Sequence, residues 1–164
     1  MTTSIEMKVS GLMMDPLTSM PIVILKNEVG DRLLPIWVGP FEAQAIAMKR
    51  ENVAAPRPMT HDLLESMVRT LGAKVERGVI HDLREGTFYA VVHLRRGADA
   101  LVVDSRPSDA IALALRMEAP IFVEPEVLDK SAALDVFKKP EETEQRMKKW
   151  FETVDPNDFS KYQM

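Results

Sequence analysis

The sequence predicts a single α+β domain: a mixed, mostly antiparallel sheet with helices packed on it, built on a duplicated strand-hairpin-helix unit and followed by a C-terminal helix. Three observations carry that expectation. Segments with the two-residue period of half-buried strands alternate with segments whose apolar residues recur at helical spacing. Glycine and proline turns punctuate them where hairpins require. One pattern, a hairpin leading into an alanine-rich helix, occurs twice. The 164 residues are enough for one domain, expected over 1–137, with 138–164 as a C-terminal helix and tail.

Ile5, Met7 and Val9 alternate with polar residues and read as the first strand, after which Met13-Met14-Asp15-Pro16 reads as a turn. Pro21 to Lys26 is the second strand and Leu33 to Val38 the third, with hairpin chemistry at Glu28 to Asp31. Gly39-Pro40 opens a helix to about Glu51. Pro40 takes the first helical position, where its missing N–H costs nothing, and Glu42 lies near the positive end of the dipole. Ala54-Ala55-Pro56-Arg57-Pro58 is an extended connector, because two prolines restrict themselves and their predecessors. Thr60 reads as the cap of a second helix. Its Leu63, Leu64, Met67, Val68 and Leu71 follow the spacing of a buried face, and Gly72 ends it. A strand from Lys74 to His81 follows.

The pattern then returns as strand Phe88 to Arg95, turn Arg96 to Asp99, strand Leu101 to Asp104 and a helix opened by Ser105-Arg106-Pro107. Setting Ala45 on Ala110 aligns the halves at a shift of 65 (110 − 45). Duplication explains this, and so does chance likeness of two hairpin-helix units. Both helices carry alanine at every second position, Ala43-Ala45-Ala47 and Ala110-Ala112-Ala114, and the second is apolar nearly all round, so it is expected at the centre of the fold. Ile121-Phe122-Val123 is a short strand between Pro120 and Pro125. From Pro140 a charged helix is expected to about Val154, with Met147, Trp150 and Phe151 on one side, and Phe159 and Tyr162 in the tail beyond.

Composition narrows the function. A hydrophobic fraction of 46% and a charged fraction of 28% are ordinary for a globular chain. There is no cysteine, which removes disulfides, thiol nucleophiles and thiolate metal sites, and with no signal peptide or apolar run of membrane-spanning length the expected location is the cytoplasm. A net charge of −4 argues against avid binding of nucleic acid and leaves a weak, nonspecific contact through a local basic groove. The eleven methionines read as adaptable core filler. Aromatic residues are 6% and do not alternate with basic ones on a strand, so a base-stacking sheet is not indicated. No glycine-rich phosphate loop, paired-histidine zinc motif or serine elbow is present, which disfavours ATP hydrolysis, zinc proteolysis and esterase chemistry.

Three segments together resemble the bifunctional nuclease family: Gly39-Pro40-Phe41-Glu42-Ala43, Arg57-Pro58-Met59-Thr60-His61-Asp62 and Asp104-Ser105-Arg106-Pro107-Ser108-Asp109-Ala110. The resemblance covers about Met7 to Val127, and the last motif is the most specific. It implies phosphodiester hydrolysis on DNA and RNA, and it brings no established catalytic constellation. Some relatives carry a further C-terminal motif of the UvrB/UvrC type, which the tail here does not match.

Candidate site residues therefore follow from chemistry. Phosphodiester hydrolysis commonly uses a divalent cation held by carboxylates, magnesium or manganese with oxygen ligands. Glu42, Asp104 and Asp109 are the candidate ligands, and His61, Asp62, Asp104 and Asp109 the candidate catalytic groups, all at or just before predicted helix starts. Carboxylates there are equally explained as caps and dipole partners. His61 can act as base or ligand, or pack as an ordinary first-turn residue. Arg57, Arg106 and Ser105 are candidate substrate contacts, and for the arginines an internal salt bridge, Arg106 to Asp109 or Arg57 to Asp62, competes with holding phosphate. His81 and His93 fall in strand patterns and are read as structural.

The reading that leads is a metal-dependent, sequence-nonspecific nuclease. Its rival is a non-catalytic oligomeric binding or regulatory module. A homo-oligomer, a dimer, is the expected state; a third reading is a purely structural dimeric subunit, with Trp37, Trp150 and Phe151 as an apolar patch if they are exposed together.

Overall fold

Strand and helix periods resolve into β1 (Ile5–Met14), β2 (Pro21–Asn27), β3 (Leu33–Trp37), α1 (Pro40–Arg50), α2 (Thr60–Thr70), β4 (Lys74–Arg84), β5 (Thr87–Arg96), β6 (Asp99–Ser105), α3 (Pro107–Met117), β7 (Ile121–Val123) and α4 (Pro125–Ala133). The structure, a computed structural model, describes residues 3–133. The helix expected from Pro140, its Trp150 and Phe151, the tail and the boundary at 137 lie outside the described residues.

The strands form one seven-stranded sheet in the order β3-β2-β1-β7-β4-β5-β6. β1-β2-β3 and β4-β5-β6 are antiparallel meanders with two-residue register, for example Leu25 opposite Leu34 and His93 opposite Val102. β7 joins them, antiparallel to β1 and parallel to β4. β1 and β4 therefore run in opposite directions, as a two-fold axis normal to the sheet would place them.

The helix starts correct the alignment of the halves. The helices begin at Pro40 and Pro107, a shift of 67 (107 − 40) and not 65. At 67, Gly30 falls on Gly97, and both adopt the positive φ, +80° and +58°, that a tight hairpin turn asks of glycine. Glu42 falls on Asp109, Ala43 on Ala110 and Lys49 on Arg116.

The principal core forms between the sheet and its helices. Val23 and Leu25 of β2 enter it with Ile46 of α1 and Ile111 and Leu113 of α3, all nearly inaccessible to water. Each such side chain contributes roughly 1.5–3 kcal/mol relative to exposure. Ile22 and Ile24 point to the opposite face and pack with Met13, Leu33 and Trp37. Trp37 is half-buried, packs in this second cluster and donates from Nε1 to Asp15 Oδ2 at 2.9 Å; the two residues expected to form a patch with it lie outside the described residues. α3 meets the central position expected of it: alanines at 110, 112 and 114 are fully covered and let α1 and α2 approach closely.

Four local expectations change. Met13 and Met14 belong to β1, which continues to the turn at 16–18. Met59, not Thr60, caps α2, and its N–H donates to Asp62 Oδ2 at 2.9 Å, the reciprocal half of a capping box. α2 buries His61 and Val68, whereas Leu63, Met67 and Leu71 are more than half exposed. α4 forms where the sequence suggested no helix, with Val127 and Leu128 buried. At the sheet edge, β6 leaves Leu101, Val102 and Val103 exposed.

Candidate active site

Equivalent helix starts bring equivalent carboxylates together. Glu42 and Asp109 are each the third residue of a helix opened by proline, and the duplication sets them on either side of Arg106. The Arg106 Nη2 donates to Glu42 Oε1 at 2.7 Å and to Asp109 Oδ1 at 3.1 Å, and its Nε donates to Asp109 Oδ2 at 2.8 Å. Gly39 holds the position equivalent to Arg106. A Cβ built there would collide with the Glu42 carboxylate, so the glycine leaves the room in which Glu42 folds back toward Arg106.

α2 adds the imidazole. His61 is only 7% exposed, and its Nε2 lies 2.8 Å from Asp109 Oδ1. Burial pushes the Asp109 carboxyl up, but hydrogen bonds from Arg106 and His61 outweigh it and hold it below the usual carboxylate value. Arg106 is held more firmly protonated by Asp109 and then Glu42. An ionised Asp109 can only accept, so the His61 Nε2–H donates to it. The carboxylate thereby fixes the orientation of the imidazole ring.

A second ion pair runs beside the first. Arg116 is buried and its Nε donates to Asp62 Oδ1 at 2.8 Å, its Nη1 to the Ala112 carbonyl at 3.0 Å and its Nη2 to the Ala45 carbonyl at 3.1 Å. One guanidinium thereby ties α1, α2 and α3 together. Burial raises the Asp62 carboxyl, and the Met59 N–H and Arg116 more than offset this, leaving it below the ordinary value.

The structure thus gathers Glu42, His61, Asp62, Arg106 and Asp109. Asp104 stands exposed on β6, and among the described residues no ion pair or hydrogen bond ties it to the cluster. The Ser105 Oγ is buried and has no hydrogen-bond partner among the described residues. Of the two salt bridges weighed for the arginines, Arg106 to Asp109 forms. Arg57 to Asp62 does not, because Arg116 takes Asp62. Arg57 is left exposed on the connector and makes no ion pair among the described residues. It lines a cleft of about 410 Å³ that shares Asp62 and Arg116 with the cluster. Among the described residues, no three His, Asp or Glu side chains are grouped to hold a metal ion. His81 is exposed on β4. His93 is half-buried, with its imidazole pushed toward the neutral form by burial and then by Arg77.

Sequence reasoning missed Arg116 and Lys49. The signal was available, since the shift of 67 lays one cation on the other, but it is visible only once the register is known.

Comparison with known proteins agrees with the motifs. Residues 23–135 match the bifunctional nuclease domain. The chain is 38% identical over 162 residues to an uncharacterised protein of Mycobacterium tuberculosis, covering 94% of this chain and 97% of that one. It is 30% identical over 105 residues to bifunctional nuclease 1 of Oryza sativa subsp. japonica, covering 62% of this chain and 32% of the plant protein. Bifunctional nuclease 1 of Arabidopsis thaliana is 30% identical over 107 residues, 63% of this chain and 33% of that one. The chain spans about a third of the plant proteins. Among the described residues no helix is long and apolar enough to cross a membrane.

Proposed function

The chain belongs to the bifunctional nuclease domain family, and from that membership we propose that it hydrolyses phosphodiesters of DNA and RNA without sequence specificity. The observation that carries the reading is the His61–Asp109 pair at 2.8 Å, next in sequence to Asp62 at the wall of a cleft that also presents Arg57. In this reading His61 Nδ1 takes the proton from the attacking water. Asp109 stabilises the imidazolium that forms, and Arg57 holds a non-bridging phosphate oxygen. Arg106 positions Asp109 and Glu42 and does not itself meet phosphate, since two carboxylates already neutralise it. With a net charge of −4, nucleic acid is held weakly and the contact weakens further with salt.

Magnesium or manganese at Glu42, Asp104 and Asp109 suits this donor set poorly. A guanidinium lies between the first and the last, and Asp104 is not joined to them. Purified protein is expected to cut end-labelled single-stranded DNA and RNA and to keep that activity in chelator. Loss in chelator with recovery in manganese would instead mean that a cation displaces Arg106. Absence of cutting under both conditions would remove the nuclease reading.

The apolar residues left exposed on α2 and β6 favour a second reading, an oligomeric module in which β6 of one copy pairs with β6 of another. Sedimentation velocity should then give a dimer, and a monomer at high concentration would refute it.

A further inference from the structure

The cleft beside the cluster lies between the end of α1, the 54–59 connector and α2. Its volume of about 410 Å³ is in the range that takes one small ligand. Its walls combine cations with aliphatic surface, and the one carboxylate on them, Asp62, is paired with Arg116. Lys49 and Arg57 bring two exposed cations, and neither makes an ion pair with any described residue. Met48, Val53 and Pro58 bring aliphatic surface, and Asn52 brings an amide at its side. Prolines at 56 and 58 remove two backbone donors, so the connector offers few hydrogen bonds with which to read a particular base.

We propose that this cleft holds a single unstacked nucleotide, its phosphate on Lys49 and Arg57 and its base against Met48, Val53 and Pro58. Two cations favour phosphate over a neutral ligand. Aliphatic walls accept any base face, as in enzymes that hold an extruded base against apolar side chains. A base paired in a duplex cannot enter, so the cleft selects single strands and is indifferent to sequence. The inference rests on the nuclease reading for its substrate class, but it is tested without cleavage.

The test is calorimetric titration of the intact protein with adenosine 5′-monophosphate, adenosine and inorganic phosphate. Adenosine 5′-monophosphate should bind at least about tenfold more tightly than either half alone. Both cations are exposed, so the Lys49→Ala/Arg57→Ala variant should melt as the wild type does while losing at least about tenfold in affinity for the nucleotide. A single-stranded oligonucleotide should displace the nucleotide and a blunt duplex should not. Nucleotide binding that is absent, or unchanged in the double variant, overturns the proposal. If binding behaves as stated but no oligonucleotide is cut, the cleft stands and hydrolysis falls. If oligonucleotides are cut while the double variant binds nucleotide like the wild type, the cleft falls alone.

Discussion

Replacing His61 by alanine should lower the rate of single-strand cleavage about 10²–10⁴-fold, the span that a positioned general base contributes. The effect should fall on kcat, because His61 meets the proton in transit and not the bound nucleotide. Nucleotide affinity, carried by Lys49 and Arg57, should change little. Asp109→Asn should lose nearly as much, since an amide can present its N–H to Nε2 and move the imidazole proton to Nδ1, leaving no base. Equal cleavage by wild type and His61→Ala, measured on separately purified batches, would assign the activity to a contaminant.

The largest effect on stability is expected at Arg116. Its side chain is 5% exposed, and the guanidinium serves a carboxylate and two carbonyls on three helices. Arg116→Ala removes the charge partner of Asp62 and leaves a space under α2. About 3 kcal/mol should be lost in urea unfolding, at the lower end for a broken buried pair because Asp62 keeps some contact with water. Arg116→Lys should recover only part of this, because a single ammonium cannot span the three acceptors. The pH dependence has a definite sign. The folded-state pKa of Asp62 lies below its unfolded value of about 3.8, so its contribution is present above that value and is lost as pH falls through the folded one. Acid unfolding should therefore lose part of its steepness below pH ~4 in Arg116→Ala. A loss under about 1 kcal/mol would show that the pair fixes geometry without stabilising the fold.

The strands and the proline-opened helices were legible because each depends on local rules: alternation for the start of β1, short apolar runs bounded by turn residues for β2, β3 and β7, a proline at the first helical position for α1 and α3. The repeat was legible too, but not its register. Alanine at every second position makes a shift of two residues nearly silent, so Ala45 matches Ala110 as well as Ala112, and only Pro40 with Pro107 and Gly30 with Gly97 decide it. Periodicity on α2 identified a common apolar face but not what lies opposite, and much of that face meets solvent. Sequence could also bring carboxylates to helix starts without revealing the cation each would meet. Arg116 takes Asp62 from another helix, and Arg106 lies between Glu42 and Asp109. Asp104, two residues before Arg106, stays on the strand because β6 continues to Ser105.

The central claim is that an Asp109-held imidazole faces the scissile phosphate while Arg57 holds it. A structure of the protein with a non-cleavable single-stranded oligonucleotide tests this most directly. The claim requires a phosphate in the cleft, on Arg57, with a water or bridging oxygen about 3 Å from His61 Nδ1. An oligonucleotide lying along the outer face of β4 and β5, with His61 remote from every phosphate, would contradict it.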